Sequence, residues 1–258
     1  FTKRESIKKV IRDNGLPIVQ TKVVWLTESD VRILYANDEP SPYFDASVKY
    51  MTDGFSEVGI IVKENAIAKL SQLTGDGHIP EDCAPGTLRQ MFGKTIPICH
   101  GGHKYYLNPL HRPRDTSEAE KNLNLFRQLA NRPLATTVCD MVRKLHQDKN
   151  LLCVFDHHIM RVVTFGQNLC ARFGGDKEVI RLASLLHDIA SLIAGKNEHH
   201  TRGARDAGLI LKILGQQNTL ITHVQDCIRS HRGSVHVSHT SREAEIVCAA
   251  DGLANLSY

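Results

Sequence analysis

Histidine and aspartate side chains recur along the second half of the chain in an order that predicts a metal site. They are His158, the doublet His187-Asp188, His199 or its neighbour His200, His231 and Asp251. Neutral imidazole and carboxylate together suit borderline divalent cations, and the chain has no CxxC pair of the kind that holds structural zinc. We expect Mn or Fe, with Zn, Ni or Mg as alternatives, because the same ligands accept several cations.

The doublet stands out because an apolar run, 182–186, directly precedes it. Packing alone gives no reason for an acid-base pair at that position. Neighbouring side chains in mid-helix point about 100° apart, but at a helix end both can reach one cation. Any single histidine could instead be a surface or core residue, and we assign the other late histidines to those roles: His157, His223, His236 and His239.

The residues around these positions predict helices only, over 155–173, 177–190, 199–214, 218–231 and 242–257. In the first of them one apolar face is formed by Ile159, Val162, Val163, Leu169 and Phe173. We therefore predict an all-α domain over 153–258, preceded by a linker helix at 132–152.

Four segments resemble the motifs of the HD superfamily of metal-dependent phosphohydrolases. They are His158-Ile-Met-Arg161-Val162, Leu185-Leu-His187-Asp188-Ile189, Ile228-Arg-Ser-His231 and Ala249-Ala-Asp251-Gly-Leu253. The resemblance implies that His158, His187, Asp188 and Asp251 hold one cation and that two further histidines hold a second. His231 matches one of these two, and His199 is preferred to His200 because it precedes Gly203-Ala204 with the family's spacing.

With all six positions present, the sequence resembles the dinuclear branch, which includes bacterial diadenosine tetraphosphate hydrolases. The resemblance implies two cations, a nucleotide or dinucleotide phosphate as substrate, and attack on phosphorus by a water that the metals activate. Asp188, able to bridge both cations, is then the catalytic residue. Arg161, Lys196 and Arg232 are candidates for phosphate contacts, although each could equally be a solvated charge.

The first half of the chain alternates strands and helices instead. Strands are predicted at 23–26 and 58–62, and helices at 28–35, 44–51 and 65–73. The segment 103–115 has two prolines and no periodicity, which indicates an insertion loop. Ser117 and Glu120 form a capping-box pattern that predicts a helix through about residue 129.

Two segments of this half, Pro85-Gly-Thr-Leu-Arg89 and Ile98-Cys-His100-Gly101, together with Tyr35, resemble nucleoside diphosphate kinases. The resemblance implies a ferredoxin-like α/β domain over 1–131, in which His100 carries phosphate and Arg89 and Tyr35 belong to the kinase-like site. Several family positions differ: Gln72 and His78 replace Arg and Thr, and Gly102-His103 replaces Ser-Asp. We therefore expect a degenerate domain that binds nucleotide, mediates assembly or supports its neighbour.

Composition sets the remaining limits. The 258 residues include 41% hydrophobic residues and carry a net charge of +4, which excludes a disordered chain and gives no clear nucleic-acid surface. The absence of a bilayer-length apolar stretch and of a signal peptide predicts a cytoplasmic protein without a membrane partner. The sequence is also compatible with a homo-oligomer. The chain stops seven residues after Asp251, and we expect that both ends are incomplete or that a partner chain completes them.

These features predict a metal-dependent phosphohydrolase with a kinase-like domain for nucleotide binding or assembly. Two alternatives belong to other classes of protein. One is a non-catalytic nucleotide sensor or scaffold. The other is a histidine phosphotransferase, a nucleoside diphosphate kinase acting through His100.

Overall fold

The computed structural model describes residues 3–38, 41–77, 79–100, 102–195, 197–232 and 238–256. The chain divides into two compact units, residues 1–132 and 133–258. The segment 132–152, predicted as a linker, contains a helix at Leu134–Asp148 that packs within the second unit. No helix in the described ranges combines the length and the apolar character that crossing a membrane requires.

The first unit is an α/β unit with a small sheet. Its elements are α1 (Arg4–Asp13), β1 (Ile18–Trp25), α2 (Glu28–Leu34), α3 (Phe44–Met51), β2 (Phe55–Ile61), α4 (Ala66–Thr74), α5 (Leu88–Phe92), β3 (Ile98–His100), β4 (His103–Tyr105) and α6 (Thr116–Asn131). Strands β1 and β2 pair antiparallel with Lys22 opposite Val58, and β3 and β4 form a separate antiparallel pair.

Apolar side chains from β1 and the flanking helices form the core of this unit. Val24 and Leu26 pack with Val31 of α2 and with Leu125 and Leu129 of α6. A second cluster joins Ile11 of α1, Leu16 and Leu88, the first residue of α5. The sheet is thus held between helices that come from both ends of the unit.

Several elements of the first unit differ from the sequence prediction, and one of them, β4, lies within the segment 103–115 that was predicted as an insertion loop. Helix α1 was not predicted, because charged residues surround its short apolar stripe, of which Ile11 is buried. Strand β1 begins at Ile18 rather than at residue 23, because residues 18–21 are Ile-Val-Gln-Thr, two apolar residues followed by two polar ones, and so lack the alternation that indicates a strand.

The predicted capping box at Ser117 and Glu120 is wrong. Asp115 caps α6, and its Oδ1 accepts a 2.8 Å hydrogen bond from the Glu118 amide. The carboxylate of Glu118 reaches back to the Arg114 amide, also at 2.8 Å. The cap therefore lies two residues before the predicted position, and Glu118 binds the amide of the residue that precedes the cap.

An ion pair between the buried Asp30 and the half-buried Arg132 joins the start of α2 to the end of α6. Asp30, 4% exposed, accepts hydrogen bonds from Arg132 Nη1 at 2.9 Å and Nη2 at 2.8 Å. The amide and hydroxyl of Thr27 also donate to it, each at 2.8 Å. Burial raises the pKa of Asp30, but the Arg132 guanidinium and Thr27 outweigh this effect and leave the pKa below its ordinary value.

The second unit is all-helical. Its elements are α7 (Leu134–Asp148), α8 (Leu152–Val154), a π-helical turn (Phe155–Ile159), α9 (Met160–Phe173), α10 (Lys177–Leu186), α11 (Ile189–Ala194), α12 (His199–Ile213), α13 (Asn218–Arg229) and α14 (Arg242–Leu256). Helix α10 lies at the centre, against α7, α9, α13 and α14. Gly166 of α9 permits this packing, since a Cβ there would lie 3.0 Å from Ile180 Cγ2.

The predicted helix over 177–190 is interrupted in the structure. Helix α10 ends at Leu186, and α11 begins at Ile189 with Asp188 as its N-terminal cap residue. The apolar periodicity continues across the break, and this is why the sequence predicted one helix. Phe173, predicted on the apolar face of α9, is 53% exposed because the helix ends there.

Replacing Asp30 by Asn should lower the free energy of unfolding of the first unit by about 2 kcal/mol, because it removes the buried charge that the half-buried Arg132 guanidinium contacts through two nitrogens. Trp25, the single tryptophan, is buried in this unit, so its fluorescence during urea denaturation reports the change. Because the folded-state pKa of Asp30 is lowered, the wild-type advantage should vanish as pH falls through that pKa.

The matched control is Asp13→Asn. Asp13 pairs with Lys9 on the surface, where its side chain is 57% exposed, and its loss should cost less than about 0.5 kcal/mol. Equal destabilisation by the two substitutions would show that the Asp30 pair does not hold α2 to α6.

Candidate metal centre

The break between α10 and α11 places both members of the doublet at one point. His187 is fully buried, and its Nδ1 donates a 2.8 Å hydrogen bond to the Ser184 carbonyl. This bond fixes the tautomer and leaves the Nε2 lone pair for a ligand. Asp188 is half-buried, and Ser191 Oγ donates to its Oδ1 at 3.1 Å. The turn therefore presents an imidazole nitrogen and a carboxylate side by side.

A first group of donors forms around His187. The ligand atoms of His158, His187 and Asp188 all lie within 4.8 Å of one another. The two Nε2 atoms are 3.2 Å apart, and each lies 3.7 Å from Asp188 Oδ2. Asp251 Oδ1 lies 3.4 Å from His158 Nε2 and 3.7 Å from His187 Nε2. The set offers two imidazoles and two carboxylates, which fits a borderline divalent cation.

A second group forms on the other side of the same carboxylate. It contains Asp188, His199 and His231, again with ligand atoms within 4.8 Å. His199 Nε2 lies 3.4 Å from Asp188 Oδ1, the oxygen that does not face the first group. The buried His231 donates from Nδ1 to the Ile228 carbonyl at 2.6 Å. His200, the alternative to His199, belongs to neither of these groups of described residues.

The protonation states match what a cation requires. Burial raises the pKa of Asp188, but His187, His231 and His199, together with the Ser191 hydrogen bond, leave it below the ordinary value, so the carboxylate is ionised. Burial, with His187 next to it, lowers the pKa of His231 to about 3, so this imidazole is neutral. Neutral imidazole and ionised carboxylate are the forms that bind metal.

A cavity of about 740 Å³ opens onto both groups. Its polar lining residues include His158, Asp188, Ser191, His199, His231, Arg232 and Asp251, and its apolar lining residues include Leu151, Val154, Ile159 and Leu192. Among the predicted phosphate contacts, Arg232 lines the cavity. Arg161 is half-buried on α9 and is not among the described lining residues, and Lys196 lies outside the described residues.

Two polar residues at this cavity were not predicted from the sequence. Ser191 follows Asp188 by one helical turn, a spacing that could have indicated a partner for the carboxylate. His146 of α7 also lines the cavity. As a lone histidine on an apolar helix face, it carried no signal.

The predicted kinase-like residues lie in the first unit. Tyr35 follows α2, and its ring meets the His111 ring edge-on at 4.6 Å between centroids. Arg89 of α5 donates from Nη1 to the carbonyls of Gly75 at 3.0 Å and Gly77 at 2.9 Å. The backbone of His100 belongs to β3, and its side chain lies outside the described residues.

The predicted insertion at 103–115 folds back onto this part of the first unit. Arg114 forms an ion pair with Asp38, and Arg112 Nη2 lies 3.8 Å from Asp76 Oδ1 in the loop that Arg89 holds. Burial raises the pKa of Tyr35 and lowers that of His111 to about 4. The Tyr35 hydroxyl is thus held away from solvent beside a neutral imidazole.

Comparison with known proteins identifies both halves. The family profile described as nucleoside diphosphate kinase matches residues 2–130, and the HD domain profile matches residues 155–256. A nucleoside diphosphate kinase of Agrobacterium fabrum is 38% identical over 91 residues, which cover 35% of this chain and 64% of that protein. One from Campylobacter curvus is 31% identical over 127 residues, 48% of this chain and 85% of that protein.

The chain thus covers 64% of the length of the first of these relatives. A solved structure described as a predicted HD superfamily hydrolase from an uncultured Thermotogales bacterium is 27% identical. The alignment covers 50% of this chain and 73% of that chain, with a TM-score of 0.41. The two resemblances inferred from the sequence are confirmed by the two profiles. The chain belongs to the nucleoside diphosphate kinase family through residues 2–130 and contains an HD domain in residues 155–256.

Proposed function

We propose that the second unit is a metal-dependent phosphohydrolase that acts on a nucleotide or dinucleotide phosphate. The observation that supports it best is the position of Asp188, whose two carboxylate oxygens face two different groups of histidines. A carboxylate in this position is suited to join two cations, and paired cations are a common means of stabilising phosphoryl displacement.

The residues of this chain divide between the two cation positions. His158, His187, Asp251 and Asp188 Oδ2 would hold one, and His199, His231 and Asp188 Oδ1 would hold the other. When bound, divalent cations neutralise phosphate oxygens and increase the acidity of water. The nitrogen and oxygen donors favour Mn or Fe and also accept Zn, Ni or Mg.

The surrounding residues orient the ligands and the substrate. Ser191 holds the Asp188 carboxylate, and the Ser184 and Ile228 carbonyls fix the rings of His187 and His231. Arg232, at the cavity, adds a positive charge that suits phosphate. For Arg161 and Lys196 a phosphate contact stays a prediction.

For the first unit we favour nucleotide binding or assembly without phosphoryl transfer. Arg89, which the family resemblance places in the kinase-like site, is engaged with two backbone carbonyls, and the insertion packs beside Tyr35. A second candidate, phosphoryl transfer through His100, is favoured by membership of the kinase family. The domain bounds 1–131, 132–152 and 153–258 and the cytoplasmic location also stay proposals.

Replacing Asp188 by Asn should reduce hydrolysis by on the order of a hundredfold or more, because one ligand charge is lost from both cation positions. The measurement is phosphate release from a panel of nucleotides and dinucleotides with Mn²⁺, and EDTA should abolish it. Asp226→Asn, which removes a surface carboxylate paired with Arg229, is the matched control and should stay within twofold. Full activity of the metal-free wild-type protein would refute the proposal.

Removing His199 should release one cation and keep the other, because His199 belongs only to the second group. Elemental analysis after dialysis should find about two Mn per wild-type chain and about one in His199→Ala. His200→Ala, which changes the neighbouring ring, should keep both. Loss of the second cation in His200→Ala but not in His199→Ala would show that His200 is the ligand and would contradict the proposal.

The alternative at His100 is tested by incubation with ATP. A domain without transfer activity should form no acid-labile phosphate on the chain. Acid-labile phosphate that is present in the wild type and absent from His100→Ala would instead establish a phosphotransferase.

A further inference from the structure

His146 is a buried histidine that the metal groups do not use. It lies near the end of α7, is 4% exposed, and lines the cavity of the metal centre. It precedes the residues that the HD profile matches, and it does not belong to either group of ligands among the described residues. The cavity therefore contains one imidazole for which the proposed cations give no reason.

The tautomer of His146 is set by its own helix. Nδ1 lies 2.8 Å from the Val142 carbonyl, and a carbonyl can only accept, so Nδ1 carries the proton. Nε2 is then a lone-pair acceptor. His187 and His231 are fixed in the same way by the Ser184 and Ile228 carbonyls. Burial lowers the pKa of His146, which keeps the ring neutral.

Apolar residues line the cavity together with His146 and the metal ligands. The His146 ring lies 5.7 Å from the Phe155 ring, and the apolar residues Leu151, Val154, Ile159 and Leu192 line the same cavity. No hydrogen bond to Nε2 occurs from the residues that the structure describes. Apolar lining residues beside a fixed acceptor that the proposed cations do not use suit a ligand group that is flat or carbon-rich and donates one hydrogen bond.

An ionised phosphate cannot satisfy this acceptor, because its oxygens only accept hydrogen bonds. Nucleobase amino groups and ribose hydroxyls can donate, and their rings suit an apolar wall. We propose that His146 Nε2 accepts a hydrogen bond from the nucleoside part of the substrate, which makes His146 a specificity-determining residue. This inference rests on the proposed hydrolysis of nucleotides at the metal centre and names the group that recognises the non-phosphate part.

The experiment compares a nucleotide with a phosphate ester that has no hydrogen-bond donor, using the full chain with Mn²⁺. His146→Phe keeps a ring of similar size and removes the acceptor, and His146→Gln offers an amide oxygen in its place. For ATP or diadenosine tetraphosphate, we expect His146→Phe to raise KM by about three- to tenfold, the loss of one hydrogen bond, with kcat within about twofold. Hydrolysis of p-nitrophenyl phosphate should be unchanged, and His146→Gln should recover part of the lost affinity.

Two controls separate recognition from structure. His239→Phe alters an exposed histidine and should leave all parameters unchanged. The Mn content of His146→Phe should equal that of the wild type, because His146 is not a ligand. Equal losses on the nucleotide and on p-nitrophenyl phosphate would overturn the inference, as would unchanged KM values for every nucleotide tested.

A binding measurement tests the role of His146 separately from the proposed hydrolysis. If the wild-type protein hydrolyses no substrate, calorimetric binding of the imido analogue of ATP to Mn²⁺-loaded protein still tests His146. A dissociation constant about three- to tenfold weaker in His146→Phe than in the wild type supports the role. Equal constants, or no binding by either protein, refute it.

Discussion

One half-buried carboxylate, that of Asp188, is the point on which the arrangement of the second unit centres. Three imidazoles and the Ser191 hydroxyl surround it, and its pKa lies below the ordinary value although burial raises it. Those groups come from three separate places in the chain, so α10, α12 and α13 must converge on one point. The interruption after Leu186 is part of the same constraint, since a continuous helix would direct His187 and Asp188 to different faces.

His187 and His231 also form hydrogen bonds with the ends of the helices that precede them. Carbonyl groups near the C-terminus of a helix lack amide partners within it. His187 and His231 follow α10 and α13, and each donates a ring N–H to a carbonyl of the last turn. One hydrogen bond thus satisfies the helix end and sets the imidazole tautomer. The same hydrogen bond therefore lies at the end of the helix and orients the imidazole as a metal ligand.

Both family resemblances and the helical character of the second unit could be predicted because their signals are local in sequence. The doublet after an apolar run and the glycine-proline motif around Arg89 are visible without distances. The break at His187 was missed because apolar residues continue on both sides of it. Asp115 was missed as a cap because Ser117 offered an equally good pattern. His146 was missed for a different reason, since only the packing of α7 against the rest of the unit brings it to the cavity.

The position of α7 has a consequence for how this unit can be separated from the rest of the chain. The HD profile begins at residue 155, yet α7 covers part of α10 and supplies a wall of the cavity. A fragment cut at the profile boundary would expose apolar side chains of α10 to water and open the cavity on one side. A fragment that begins at Pro133, where the compact unit itself begins, keeps α7 with the helices that it contacts. The residues that the HD profile matches, 155–256, are therefore fewer than the residues of the compact unit, 133–258.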